Sequence, residues 1–244
     1  MPGAARKPTI AGRCLWCAAL LAAAAGGQSS GTIYEQAAAY LQRGQPARAI
    51  ALLEPRLQEA PRDLRALTLA GMAHAAENRR ELANRYYRQA LDADAKYAPA
   101  LKNLAINEMA LGDGANAKTH FEQLLQLTPA DPMAHLALGD IASAAKDYRS
   151  ALSHYEQSGN LYLRDGSSLL QFAQACLAAH QTAKAAAALE RMPPEADAGN
   201  HFAAGALLAS MERYAAAARE FERAKSGGGN AYDEIGRASC RERV

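Results

Sequence analysis

The histidines are the side chains of this sequence best suited to acid–base catalysis or metal binding. Zinc sites on helices use two histidines four residues apart, with a glutamate beside the first. No such pair is present in this sequence, so we predict no metal site. The six histidines are instead spread along the chain, at His74, His120, His135, His154, His180 and His201.

The acidic side chains do not indicate a catalytic pair either. Most are expected at helix ends or on exposed faces, where capping and solubility account for them. The glycines at 227–229 lack the strand, lysine and hydroxyl of a phosphate-binding loop, and we interpret them as a turn. We therefore predict no catalytic residue, no cofactor and no enzyme activity. The carboxylates considered are Asp92, Asp94, Asp113, Asp140, Asp147 and Glu156.

The composition is typical of an all-helical protein. Half of the residues are apolar, only 6% are aromatic, and alanine is abundant. No stretch alternates with the two-residue period of a half-buried strand. Alanine-rich helices form readily but bury little area each, so stability must come from stacking one unit on the next.

The range 98–131 is the clearest example of the helix-turn-helix unit from which the chain is built. Apolar residues recur at three- and four-residue steps on one face of a first helix and again on a second. Gly112 can adopt the left-handed conformation that ends the first helix, and Asp113 or Asn116 can cap the next. Pro129 then ends the second helix.

The same pattern recurs along the chain at a step of about 34 residues, with one step shorter by two. Each unit has a small residue early and an alanine followed four residues later by a bulky side chain. The small residue indicates that the two helices approach closely there. The small positions are Ala37, Gly71, Ala105, Gly139, Ala173 and Gly205. The pairs are Ala49 with Leu53, Ala83 with Tyr87, Ala117 with Phe121, Ala151 with Tyr155, Ala185 with Leu189 and Ala217 with Phe221.

This period and pattern resemble the tetratricopeptide repeat (TPR) family. The resemblance implies a right-handed α-solenoid of about six helix-turn-helix repeats within residues 28–231. In the fifth unit, Pro193 and Pro194 and the loss of two residues predict a short second helix. The implied units are 30–63, 64–97, 98–131, 132–165, 166–197 and 198–231.

Residues 1–27 have the three-part layout of a secretory signal peptide. Arg6, Lys7 and Arg13 precede an apolar run at 14–25, which is followed by small residues. That run of about 12 residues is too short to span a bilayer as a helix. Arg13 precedes Cys14 where a lipoprotein signal needs a small residue, so we predict no lipid anchor. An additional repeat-domain helix and an uncleaved signal anchor are the alternatives.

The tail is unlike the repeats. A seventh unit begins near Tyr232, but residues 235–244 have no amphipathic period, and their back-translation resembles a sequencing-adapter oligonucleotide. We therefore expect 232–244 to be the start of a truncated unit followed by an artefact. Without residues 1–27 and 235–244, 21 of the 27 basic and 24 of the 25 acidic residues remain, a net charge of −3. This mildly acidic balance argues against a nucleic-acid partner.

Cysteine usage gives no disulfide framework. Cys14 and Cys17 lie in the leader and Cys240 lies in the tail, which leaves Cys176 in the repeats. One cysteine cannot cross-link the fold within a chain. We predict that Cys176 is a buried, unreactive thiol.

The TPR resemblance implies a concave face that binds peptides or partner helices. That face is mostly apolar, with three methionines, which suits varied apolar ligands. Lys102 and Asn103 are not followed by the partners of a carboxylate clamp, because the next unit has Met133 and Ala137. The implied residues are Tyr34, Leu41, Thr68, Met72, Lys102, Ile106, Met109, Met133, Leu136, Asp140, Leu170, Gln174, Leu177 and Phe202. Alternatively, some of them pack against the neighbouring unit or an absent seventh helix.

The sequence thus predicts a non-catalytic protein-interaction scaffold, exported to the periplasm or secreted, with no membrane segment after signal cleavage. A fold resemblance does not identify the partner or the oligomeric state. Two alternatives remain open. In the first alternative, the repeats are the docking arm of a larger envelope protease or transferase. In the second, they are a self-association module.

Overall fold

The computed structural model describes residues 32–227, which form twelve α-helices and one short 3₁₀-helix and contain no strand. The helices follow one another as antiparallel pairs, and each pair stacks on the next. The helices are α1 (Ile33–Gln42), α2 (Pro46–Glu59), α3 (Leu64–Ala76), α4 (Arg80–Ala93), α5 (Ala98–Ala110), α6 (Gly114–Leu127), α7 (Pro132–Ala144), α8 (Tyr148–Gln157), α9 (Gly166–Ala178), α10 (Thr182–Leu189), α11 (Ala198–Ser210) and α12 (Tyr214–Ser226).

The first helix of most pairs begins at a capping side chain. Thr32 and Glu35 form a reciprocal capping box at α1. Aspartates accept a hydrogen bond from the backbone N–H three residues later and so satisfy a donor that the helix leaves free. These aspartates are Asp63, Asp131, Asp165 and Asp197 at first helices, and Asp113 and Asp147 at second helices.

The turn inside each pair contains one residue in the left-handed conformation. These residues recur at the period of the sequence repeat, at Gly44, Asn78, Gly112, Lys146, His180 and Glu212. The expectation for Gly112 is confirmed, with φ of 80°, and Asp113 caps the helix that follows. A left-handed conformation costs a residue with a Cβ about 1–2 kcal/mol. The turn geometry is therefore retained even where the sequence does not provide glycine.

Close approach of paired helices explains the small residues. A Cβ added to Gly71 would lie within 2.9 Å of three ring carbons of Tyr87. Gly139 is similarly close to Tyr155, and Gly205 to Phe221. The expectation of close helix contact at these positions is confirmed, because real Cβ atoms essentially never approach so closely.

The core lies between the layer of first helices, which we call the inner layer, and the layer of second helices, the outer layer. The small residues and their bulky partners lie in it, and most of them, such as Ala105 and Phe121, are fully buried, whereas Phe221 is partly buried. Inner-layer helices also contact one another, in the pairs α1–α3, α3–α5, α7–α9 and α9–α11, whereas α5 and α7 make at most marginal contact. The backbones of the inner layer are thus more widely spaced between the third and fourth pairs, and we call this wider spacing the interruption of the inner layer.

The predicted short second helix of the fifth unit is confirmed, because α10 has only 8 residues. Before this unit, the 3₁₀-helix Leu161–Arg164 carries Tyr162 against Phe172, with ring centroids 4.1 Å apart. Cys176 is buried beside these rings, and burial raises the pKa of its thiol to about 11. Its predicted place in the core is therefore confirmed.

Candidate functional site

An apolar groove opens where the inner layer is interrupted. It has a volume of about 360 Å³ and lies between α5 and α7, with the buried ring of Phe121 from α6 also lining it. We call it the α5–α7 groove. Its lining residues are Ile106, Met109, Ala110, Phe121, Met133, Leu136, Ala137 and Asp140.

The helical period determines which side chains reach this groove. Ile106, Met109 and Ala110 recur at three- and four-residue steps and therefore share one face of α5. Met133, Leu136, Ala137 and Asp140 do the same on α7. Ile106 and Met133 are each 40% exposed. Large apolar side chains that are exposed in a cluster usually mark an interaction site.

Asp140 is the ionisable residue among those that line the groove. Its Oδ1 accepts a hydrogen bond of 2.9 Å from the Tyr155 hydroxyl, and its Oδ2 accepts one of 2.9 Å from Ser168 Oγ. Burial raises the pKa of Asp140 above its ordinary value, and the nearby Asp165 carboxylate acts in the same direction. The groove therefore carries a fixed, partly desolvated carboxylate.

Lys102 is not available as a free cation in the groove. Its Nζ lies 2.8 Å from Oδ2 of Asp131, the aspartate that caps α7. Asn103 is similarly occupied, because its side-chain amide donates to the Pro99 carbonyl. These contacts give a physical reason to expect no carboxylate clamp, beyond the absence of its partners in the sequence.

The structure brings five of the predicted concave-face residues together in the groove: Ile106, Met109, Met133, Leu136 and Asp140. The sequence reasoning missed Ala110, Ala137 and Phe121, of which the alanines share the helical faces of the named residues.

The other predicted concave-face residues lie outside the groove. Thr68 and Leu170 are buried and offer little surface to a partner. Met72 and Gln174 are exposed on α3 and α9. Tyr34 donates its hydroxyl to Asp63. Leu41 and Leu177 are partly buried against the core, and the partly buried ring of Phe202 lies 5.6 Å from that of Phe221.

Three histidine pairs link inner and outer helices, which the sequence reasoning did not foresee. His120 Nδ1 lies 2.7 Å from a Glu108 carboxylate oxygen, and His201 Nδ1 lies 2.7 Å from one of Glu220. In the third pair, the Nδ1 atoms of His135 and His154 are 3.1 Å apart. The outer members share one register position, since 120 and 154 differ by 34 residues. This shared position in the repeat is the sequence signal from which the pairs could have been predicted.

These pairs are structural rather than metal-binding in their geometry. His201 and Glu220 are almost fully buried, and Glu220 also accepts from Arg223 at 2.8 Å. His135 Nε2 donates to the Pro129 carbonyl at 2.9 Å, which leaves its Nδ1 to accept from His154. Within residues 32–227, no three His, Cys, Asp or Glu side chains are grouped so that they could hold a metal ion.

This stack of antiparallel helix pairs has the fold of a TPR-type solenoid. The structure is similar to PilF of Pseudomonas aeruginosa, with a TM-score of 0.71 and 21% identity over 84% of this chain and 96% of that one. It is similar to PilW, a type IV pilus biogenesis factor, with a TM-score of 0.66 and 16% identity over 80% and 91% of the two chains.

A third similar structure is YrrB, a TPR protein with an unusual peptide-binding site. The TM-score is 0.57, with 18% identity over 71% of this chain and 91% of that one. These identities establish the fold alone. No protein-family model matches the sequence, and a search of curated proteins found no match.

Proposed function

We propose that this protein is a non-catalytic scaffold that binds a peptide or helical segment of a partner in the α5–α7 groove. One observation supports this most directly, namely that Ile106 and Met133 are 40% exposed across an apolar groove of about 360 Å³. Exposing such side chains to water is unfavourable, at about 25 cal/mol per Å² of apolar area. A partner that covers them recovers that free energy.

The groove chemistry supports an apolar ligand rather than a highly charged one. Two of its side chains are methionines, which adjust their shape to different partners. The volume also lies within the range of about 300–1,000 Å³ that is typical of binding pockets. Helix-in-groove and extended-peptide binding both use such surfaces.

Charge insertion in the groove tests this proposal. Twelve-residue peptides displayed on phage are selected on the immobilised protein, and binding is then measured with Ile106→Asp and Met133→Asp. Each variant should weaken the selected peptides at least tenfold, because a carboxylate replaces an apolar contact. Leu127→Asp is the matched control, since Leu127 is 37% exposed on α6 but does not line the groove. Equal binding by all three variants would refute the proposal.

Self-association through the same groove is a second outcome that the apolar surface permits. In that case light scattering of the protein alone would give a dimer, and Met133→Asp would convert it to a monomer. The docking-arm alternative requires a catalytic domain elsewhere in the natural protein, and recovery of the complete reading frame tests it.

We also propose that the protein is exported. The support is the sequence of residues 1–27, which lies outside the described residues. Among residues 32–227, none of the helices has the length and apolar character needed to cross a bilayer. Expression with a C-terminal tag, followed by fractionation and N-terminal sequencing, would test cleavage near Ala25 or Gly27.

A further inference from the structure

The α5–α7 groove combines an apolar lining with one acidic side chain. Of its eight lining residues only Asp140 is ionisable, and the groove wall around it is formed by Met133, Leu136 and Ala137 on the same helix. Its carboxylate is therefore positioned to affect which apolar segments can bind.

Asp140 has no cationic partner, unlike the partly buried carboxylates of Asp63 and Asp131. Asp63 forms an ion pair with Arg56 at 2.8 Å, and Asp131 forms one with Lys102 at 2.8 Å. Within residues 32–227, the charged group that acts on Asp140 is another carboxylate, that of Asp165. The local charge at this end of the groove is therefore negative and unbalanced.

The two hydrogen bonds of Asp140 orient the carboxylate without neutralising it. Tyr155 and Ser168 donate from neutral hydroxyls, one to each oxygen. A carboxylate has about four acceptor positions, so each oxygen keeps one that is unused. Those positions can accept from an ammonium or guanidinium group.

Covering the groove makes this unpaired charge more costly. An apolar segment that excludes water from Asp140 removes hydration from a charge that has no counter-ion, which is strongly unfavourable. A lysine or arginine beside the apolar side chains compensates for that loss. An acidic side chain at the same place adds repulsion from both Asp140 and Asp165.

We propose that the α5–α7 groove selects peptide segments that carry a lysine or arginine next to bulky apolar side chains, with the cation bound by Asp140. This inference rests on the proposed function and specifies the chemistry of the partner.

The test begins with phage-displayed twelve-residue peptides selected on the full chain, after removal of peptides that also bind an Ile106→Asp, Met133→Asp double variant. We expect the groove-dependent peptides to be enriched in Lys or Arg beside Leu, Met or Phe. One selected peptide is then synthesised with its basic residue unchanged, replaced by glutamine or replaced by glutamate. Fluorescence anisotropy gives the Kd of each peptide.

The basic peptide should bind Asp140→Asn about tenfold more weakly than the original protein, because a charge-assisted contact is lost. The glutamine peptide should bind both proteins equally, and the glutamate peptide should bind Asp140→Asn more tightly. Ser168→Ala, which keeps the charge and removes one hydroxyl donor, should retain the preference for the basic peptide. Asp92→Asn is the control, since Asp92 is an exposed carboxylate on α4 outside the groove.

Thermal unfolding followed by circular dichroism verifies that each variant is folded. Groove-dependent peptides without basic enrichment, or an equal loss of affinity for the basic and glutamine peptides, would overturn this inference and leave the proposed function intact. A selection that yields no groove-dependent peptide would overturn both.

Discussion

The contact between Gly71 and Tyr87 leads to a sharp prediction about stability. An alanine at position 71 would place its Cβ within 2.9 Å of three ring carbons of Tyr87, which is only 2% exposed. The ring cannot move away freely because the core surrounds it. Overpacking of this kind costs about 1–3 kcal/mol, while alanine gains up to about 1 kcal/mol over glycine within a helix. Because the shortest of these contacts would be 2.4 Å, we place the overpacking cost in the upper half of that range and expect Gly71→Ala to lower the free energy of unfolding by about 1–2 kcal/mol.

The same chain indicates how to relieve the clash. At the equivalent positions of the fifth unit, Ala173 is combined with Leu189, and both are fully buried. Tyr87→Leu alone should cost about 1–3 kcal/mol because it leaves a cavity. In the Tyr87→Leu protein, adding Gly71→Ala should lower the free energy of unfolding little further. The coupling free energy of the two substitutions should therefore be at least about 1 kcal/mol.

Urea unfolding followed by circular dichroism measures the four proteins of this cycle. Gly114→Ala provides the matched control, since a Cβ there would meet nothing within 4 Å. We expect that control to be neutral or slightly stabilising. If Gly71→Ala is as stable as the original protein, or if the two changes are simply additive, the interpretation of the small positions is refuted.

Three further predictions concern the turns, the histidines and a buried amide. Lys146→Gly should stabilise the protein by up to about 1 kcal/mol in urea unfolding, because glycine adopts the observed φ of 61° without strain. Burial, and then the neighbouring His135, lower the pKa of His154 below its ordinary value of 6.5. The unfolded chain therefore binds this proton first, and the free energy of unfolding should fall as the pH drops below 6.5. His154→Gln should lose less stability than the original protein between pH 8 and 5. Asn107→Ala should cost about 1–3 kcal/mol, because the buried Asn107 amide donates at 2.6 Å to Asn84.

Each of these has a control on the same chain. Lys146→Ala keeps a Cβ in the left-handed turn and should not stabilise. His180→Gln, which replaces an exposed histidine, is the control for His154→Gln. Asn103→Ala removes an amide that bonds only within its own helix and should cost less than Asn107→Ala. If a control variant showed as large an effect as the variant it is compared with, the corresponding argument would be contradicted.

Much of the fold was predictable because one local rule is repeated. The spacing of Gly71 from Tyr87 recurs in every unit, and repeated local signals reinforce one another where a single one would be weak. The helix end at Gly112 followed from its conformational freedom alone. The left-handed Lys146 and Glu212 were not predictable from residue type, because only the register shared with Gly112 reveals them.

The groove was predictable only in part. Register placed Ile106 and Met133 on the inner layer, but it could not reveal that α5 and α7 would stay apart while the other inner helices meet. Nor could it assign Thr68 and Leu170 to buried positions, since burial depends on how neighbouring units pack. The hydroxyls that orient Asp140 come from two different helices, so no local pattern brings them together.

The interruption of the inner layer also has a mechanical consequence. The outer helix α6 packs on α7 and maintains the stack, whereas on the inner side the backbones of α5 and α7 make at most marginal contact and the two helices are linked by the Lys102–Asp131 ion pair. Because few backbone contacts span this joint on the inner side, we expect bending about α6 to change the width of the groove more easily than bending at a joint where both layers touch. A bound segment would act as the missing inner contact, so that occupancy stiffens the joint and holds the first three helix pairs in a fixed orientation to the last three.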